Sequence, residues 1–380
     1  MMFYLVVFAL LWFALYYSAA KGEISEPLEV MALVVFVLIA GQRFETGNDW
    51  LVYRDHYIAL QNFGLEGGNS EQFPVFEPLY VLLVWMAGRL FDFQTFLLLV
   101  ALFNGIVLYR FAKAWRVSFL GVFAIYYAWL YLATQMATIR HSLAISFALL
   151  ALIAIFKSRK LLAFVLLLVA SGMHLFSLAF FALFVLFKRS LSIGWVLASL
   201  VGGFVAVYIV LFAVSAGLLS WLPFSEKIAL YADVAAVGQL SAGSLAYIAL
   251  NLAFLFWLMR DFGDDIQSRV AKWSVFYLLF FQIALWMLPV FWNRVQIFTL
   301  IIQACVLSKY LIERQRMLTL AGVCVLSLAM LIKFLADPAY ISYIPYQSYW
   351  VDVLLPGTVR SDGEKRFYEA IDANRERGAK

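Results

Sequence analysis

Charge is scarce in this chain. Only 13% of its 380 residues are Asp, Glu, Lys or Arg, and 65% are hydrophobic. A soluble domain averages about 25% charged residues, so the soluble classes are excluded. Cysteine and histidine are scarcer still, at two and three residues. Cys305 and Cys324 both lie in apolar runs, which gives neither a disulfide framework nor a metal spacing. His-x-x-x-His, Cys-x-x-Cys and clustered acids are all missing, so no metal site and no cofactor is expected. Gly-rich phosphate loops at a strand-to-helix turn are missing too. The apolar runs lack period-2 alternation, which excludes a membrane barrel. The opening MMFYLVVFALLWFALYYSAA lacks a basic start, so it reads as a first membrane helix and not as a cleaved signal.

What is present is apolar sequence from end to end. Candidate helices cover 2–19, 28–42, 94–110, 117–136, 140–156, 160–173, 174–187, 191–219, 243–259, 273–291, 295–309 and 317–335. The expected fold is an all-α, polytopic transmembrane helical bundle of roughly 11–13 spans. Segment 78–91 is too short to span and ends in Arg89 and Asp92, which suits an interfacial helix. Residues 1–335 then form one transmembrane domain, with outer loops at 43–93 and 220–242. A polar tail, 336–380, carries a short amphipathic helix.

Basic loops orient the bundle. Arg110, Lys113 and Arg116 mark one inner loop; Lys157, Arg159 and Lys160 a second; Lys188 and Arg189 a third; Lys309, Arg314 and Arg316 a fourth. The net charge of +5 is ordinary for such loops and implies no nucleic acid. Against this frame, Arg140 is the only charged side chain between Arg116 and Lys157, and Arg294 the only one between Lys272 and Lys309. His174 is the only ionisable side chain in 161–187. An arginine at membrane depth costs about 2.5–3.5 kcal/mol on insertion scales, so it normally faces an interior, a cavity or an interface. Counting crossings puts all three on the outer face.

The outer loop 43–77 carries six acidic and two basic residues. It opens on Arg43, continues through Asp49, Trp50 and Tyr53, and closes on Glu77-Pro78, where the proline suits the first helical position and Glu77 its cap. Guanidinium groups pair bidentately with phosphate oxygens, so Arg140, Arg294 and Arg43 form a candidate diphosphate clamp. The bland alternative for each is a structural ion pair or a snorkelling side chain. His174, Glu77 and Asp49, in that order, are candidate bases or acceptor-binding groups. Trp50, Tyr53 and Tyr80 are aromatic candidates for stacking on sugars. The pair Asp264-Asp265 reads as a solvated inner loop.

These residues resemble, in order, the EpsG family of Wzy-type polysaccharide polymerases. The resembling parts are Arg43 with Thr46-Gly47-Asn48-Asp49-Trp50 and Tyr53, Glu77-Pro78-Leu79-Tyr80, Ile139-Arg140-His141, His174 with Ser177-Leu178, and Asn293-Arg294 with Phe298. The family often has Gln where His141 stands, and Tyr where Trp50 stands. The resemblance implies a glycosyltransferase of the bacterial inner membrane, acting at the periplasmic face on undecaprenyl-diphosphate-linked oligosaccharides to build O-antigen or exopolysaccharide. It also implies membrane lipid as surroundings, and a flippase and a chain-length regulator of the same pathway as partners. The expected activity is a metal-independent repeat-unit polymerase. The rivals are a flippase or transporter of lipid-linked oligosaccharide, which would need basic groups along a path from both sides, and an acyltransferase using His174.

Overall fold

The computed structural model describes residues 1–22, 25–67, 76–216, 218, 242–285, 289–313, 317–355 and 362–378. The expected loop 220–242 falls, but for its last residue, outside them. The described residues are helical throughout, with no strand and a single isolated antiparallel bridge, Arg43 to Ser348. The helices are α1 (Met2–Lys21), α2 (Glu26–Gly41), α3 (Trp50–Gly67), α4 (Pro78–Gly88), α5 (Phe93–Trp115) and α6 (Phe119–Tyr126). A π-helix (Tyr127–Ala137) continues α6 and leads into α7 (Ile139–Phe156), α8 (Lys160–Met173), a 3₁₀ turn (Leu175–Leu178) and α9 (Ala179–Leu186). The rest are α10 (Ile193–Ser215), α11 (Ala242–Asp261), α12 (Ile266–Ala284), α13 (Pro289–Glu313), α14 (Met317–Ala336), a second 3₁₀ turn (Pro338–Tyr343), α15 (Tyr349–Leu354) and α16 (Gly363–Gly378).

Seven helices among the described residues are long and apolar enough to cross a membrane. The chain is therefore a multi-pass helical membrane protein. The number is lower than the 11–13 expected because several apolar helices are short. α2 has 16 residues and α8 has 14, below the ~20 that span hydrocarbon without tilt.

Two compact units are present: Met1–Leu178 with Ala304–Lys380, and Ala179–Gln303. In the first, α5 packs on α2 and α7, α7 on α8, and α4 on α3 and α8. Its helix ends follow local chemistry. Asp92 caps α5 by accepting from Thr95 N–H at 2.6 Å, and Ser118 caps α6 by accepting from Gly121 N–H at 3.2 Å. Glu29, buried in α2, pairs with Lys113 and accepts from Phe119 N–H at 3.0 Å. That carboxylate therefore supports the start of α6 and does not act as loop charge, which explains why the 21–29 segment carries more acid than base.

In the second unit α12 packs on α9, α10 and α11. Asp264 and Asp265 are exposed, as a solvated loop requires, and Asp265 has a second role. It caps α12, accepting from Gln267 and Ser268 N–H at 3.0 and 3.2 Å and from the Ser268 hydroxyl at 2.6 Å. Deeper in this unit Asn251 donates to Gln282 Oε1 at 3.2 Å and accepts from Gln303 Nε2 at 2.9 Å.

Candidate anion site at the head of α4 and α7

Residues 42–67, which follow α2, hold more regular structure than their polar composition suggests. Trp50, Tyr53, Tyr57 and Leu60 recur at helical spacing and bury one face of α3. Tyr53, Tyr57 and Leu60 pack with Phe76, Tyr80, Phe96, Ile139 and Leu143 in one cluster, and Trp50 packs with Leu51 and Phe367 of the tail in another. The loop itself is held from the far end of the chain. Phe44 N–H donates to Gln347 O at 2.9 Å, Asn48 Nδ2 to Ala339 O at 3.2 Å, and Gly363 N–H to Glu45 Oε2 at 3.1 Å. The tail is thus packed against the loop, and its helix α16 contributes the buried Arg366, which donates to Glu45 O at 3.2 Å and Ser342 O at 3.2 Å. Gly47 has φ +112°, and a Cβ there would overlap the Met136 carbonyl, so only glycine lets the loop pass the end of the π-helix.

This frame brings Arg140, Glu77 and His174 together. Arg140 Nη1 donates to Glu77 Oε2 at 2.6 Å, and its guanidinium lies over the Phe76 ring, 4.3 Å from the centroid. The pair is only partly buried, with side chains 19% and 15% exposed. The other Glu77 oxygen accepts from Leu175 N–H at 3.0 Å. Glu77 occupies the cap position of α4 with Pro78 at the first helical position, as read from the sequence, but its side chain makes no capping bond. It is turned instead toward Arg140 and the residue after His174. The structure favours the ion-pair reading of Arg140 over simple snorkelling.

His174 ends α8 and accepts from Phe176 N–H at Nδ1, 3.3 Å away. That bond selects the tautomer protonated on Nε2. The His174 ring meets the buried His141 ring edge to face, with centroids 4.7 Å apart. Asp49 lies near Tyr53. Burial raises the Tyr53 pKa, the Asp49 charge raises it further, and hydrogen bonding to Arg140 opposes both.

Three other expectations change. Arg43 is 3% exposed, and its Nη1 donates to the carbonyls of Ala40 at 2.7 Å and Gln135 at 2.8 Å. A π-helix leaves carbonyls unserved at its end, and Arg43 serves one of them five residues before Arg140. In this arrangement its guanidinium is turned to backbone carbonyls and not to the ion pair. Burial lowers its pKa to about 10, so it stays charged at neutral pH. Trp50, Tyr53 and Tyr80 are 4%, 4% and 1% exposed. None offers an open ring face to a sugar, because each closes the protein core. Arg294 is half-buried on α13, in the second unit.

Beneath Arg140 a buried polar cluster ties α5, the π-helix and α7. Asn104 donates to Gln135 Oε1 at 2.9 Å and Ser142 Oγ at 3.0 Å, and accepts from Ser146 Oγ at 2.7 Å. Gln135 Nε2 donates to the Tyr126 hydroxyl at 3.1 Å. Sequence reading missed this cluster, and named His141 only within the Arg140 motif. Ser142 and Ser146, one turn apart on the helix that follows Arg140, were the available signal.

The arrangement defines a class: a multi-pass helical membrane protein with a guanidinium, a carboxylate and an imidazole where the heads of α4 and α7 meet the end of α8. The EpsG family model matches residues 28–348, most of the chain, and the protein belongs to that family of Wzy-like polymerases. No curated protein and no solved structure gives a match. Among the described residues no group of three or more His, Cys, Asp or Glu is placed to hold a metal ion.

Proposed function

We propose that the chain is a Wzy-type polymerase: a metal-independent glycosyltransferase that joins undecaprenyl-diphosphate-linked repeat units into O-antigen or exopolysaccharide at the periplasmic face of the inner membrane. Family membership supports the reaction class. The observation that carries the residue roles is the meeting of Arg140, Glu77 and the Leu175 N–H, with His174 beside them. A carboxylate held by a guanidinium and a backbone N–H sits where a phosphate oxygen would be bound. Binding of the diphosphate to Arg140 releases Glu77 to face the acceptor.

In the proposed step the acceptor hydroxyl oxygen attacks the anomeric carbon of the growing glycan, and its proton passes to Glu77. The anomeric C–O bond breaks, and its electron pair leaves with the lipid diphosphate. Arg140 and the Nε2–H of His174 neutralise charge on that leaving group. Asp49, whose charge acts on Tyr53, stays a further candidate for binding the acceptor. Arg294 keeps the diphosphate role read from the sequence, where it is the only charge in its apolar run and part of the resembling series. The lipid-pathway partners, a flippase and a chain-length regulator, are part of the same proposal.

The test is purified protein in lipid with lipid-linked repeat units and excess chelator. Lengthening of the glycan is expected. Movement of intact lipid-linked units across the bilayer without lengthening would replace the enzyme with a transporter.

A further inference from the structure

Beside the ionic site the first unit carries an open apolar cavity of about 380 Å³ between α4, α5, α7 and the end of α8, lined by Leu83, Phe96, Val100, Leu143, Phe147 and Met173 among others. The lining is continuous with the site. Leu143 and Phe147 follow Arg140 at three and seven residues, on the same face of α7. Met173 precedes His174, and Phe96, Val100, Leu143 and Met173 share one packed cluster with Tyr53, Phe76 and Tyr80 around the ion pair. The cavity wall carries no charged residue, but Leu143 lies one turn from Arg140 and Met173 adjoins His174, so the ion pair stands near one end of an apolar body that extends about 10 Å along α7. A ligand that matches both ends is an anionic group on a long hydrocarbon chain.

Resting on the polymerase reading, we propose that this cavity holds the first isoprene units of the donor's polyprenyl tail, and not the acceptor's. A polymerase handles two lipid-linked substrates, but only the donor gives up its diphosphate. The chain whose diphosphate meets Arg140 is the one whose tail enters between Leu83 and Phe147. The acceptor presents a sugar hydroxyl to Glu77, and its own diphosphate stays a repeat unit away.

Two experiments on the full chain in nanodiscs test this. The first uses a photoreactive polyprenyl diphosphate without sugar. Labelling is expected in 83–103 and 143–147 and should be competed by unlabelled polyprenyl diphosphate. Labelling confined to other helices, or unaffected by competitor as for bulk phospholipid, overturns the proposal. The second uses Leu99→Trp and Met86→Trp, positions that line the cavity but are 40% and 55% exposed, so the fold accommodates them. Displacing even two methylenes of tail should raise the KM for a long-tailed donor about tenfold or more. A short-tailed donor, and the acceptor of either length, should be unchanged. Equal loss with the short-tailed donor, or loss confined to the acceptor, overturns the assignment. Labelling in the cavity by a wild-type protein that does not polymerise would keep the tail site and sink the polymerase reading instead.

Discussion

Each unit of the molecule buries an amide cluster around an asparagine, and the two clusters serve different ends. In the second unit Asn251 links Gln282 and Gln303, all neutral, and Gln282 Nε2 stays buried without a partner. In the first unit Asn104 gathers Gln135, Ser142 and Ser146, and the Gln135 carbonyl extends the chain of bonds to Arg43. Both tie apolar helices by the same physics, since a polar group in hydrocarbon must find a partner. Only the first runs through the residues on either side of Arg140. A polar cluster in a membrane bundle is therefore not itself a sign of function; what sets the first apart is that it adjoins the Arg140–Glu77 ion pair.

The sharpest break of that contrast is at Glu77. Glu77→Gln should cost about 10³-fold in polymerisation rate, within the range for a lost general base. His174→Gln should cost less than about tenfold, because the glutamine amide still supplies a donor. The reverse order would return the base role to His174. Arg140→Lys keeps the charge but loses the planar fork, and polymer yield should fall about 10²-fold while membrane abundance is unchanged. Near-normal polymer would make Arg140 structural, like the second unit's amides.

Asn104→Leu and Asn251→Leu compare the clusters directly. Each should lower stability by about 2–3 kcal/mol through partners left unsatisfied, read as thermal unfolding in detergent. Activity per folded molecule should drop only for Asn104→Leu. Equal activity in both variants would show that the first cluster is scaffolding too. The smallest effect is expected at Asp265→Ala, which removes a helix cap worth about 1 kcal/mol. Burial alone would raise the Asp265 pKa, but the Ser268 hydroxyl and the Ser268 and Gln267 N–H bonds bring it below the ordinary value. Its contribution is therefore complete above about pH 4. It is lost as pH falls through the lowered value, and the variant should lack that acid-dependent step.

The membrane class was legible in the sequence because scarcity of charge is a property of composition, and Arg140 and His174 were legible because each stands alone in an apolar run. Glu77 was half legible. Proline fixes the helix start, but which partner takes the carboxylate depends on Arg140, 63 residues away. Arg43 was misread for the same reason. An arginine at a span end looks ready for a ligand, and only the fold brings the Gln135 carbonyl, 92 residues on, within 2.8 Å. The aromatic residues of the loop were misread because their spacing, which marks a buried helix face, weighed less than the loop's polarity.

The clamp on the loop also has a cost in time. Asn48 and Glu45 are secured by Ala339 and Arg366, which lie 291 and 321 residues downstream. At about 5–20 residues per second of synthesis, some 15–60 seconds separate the loop from its partners. Through that interval α1 to α8 have been made and Arg140 can already find Glu77, while the loop that carries Asp49 and Tyr53 still lacks its far anchors. A nascent chain stalled before residue 339 would carry the charges of the site without the floor that holds them.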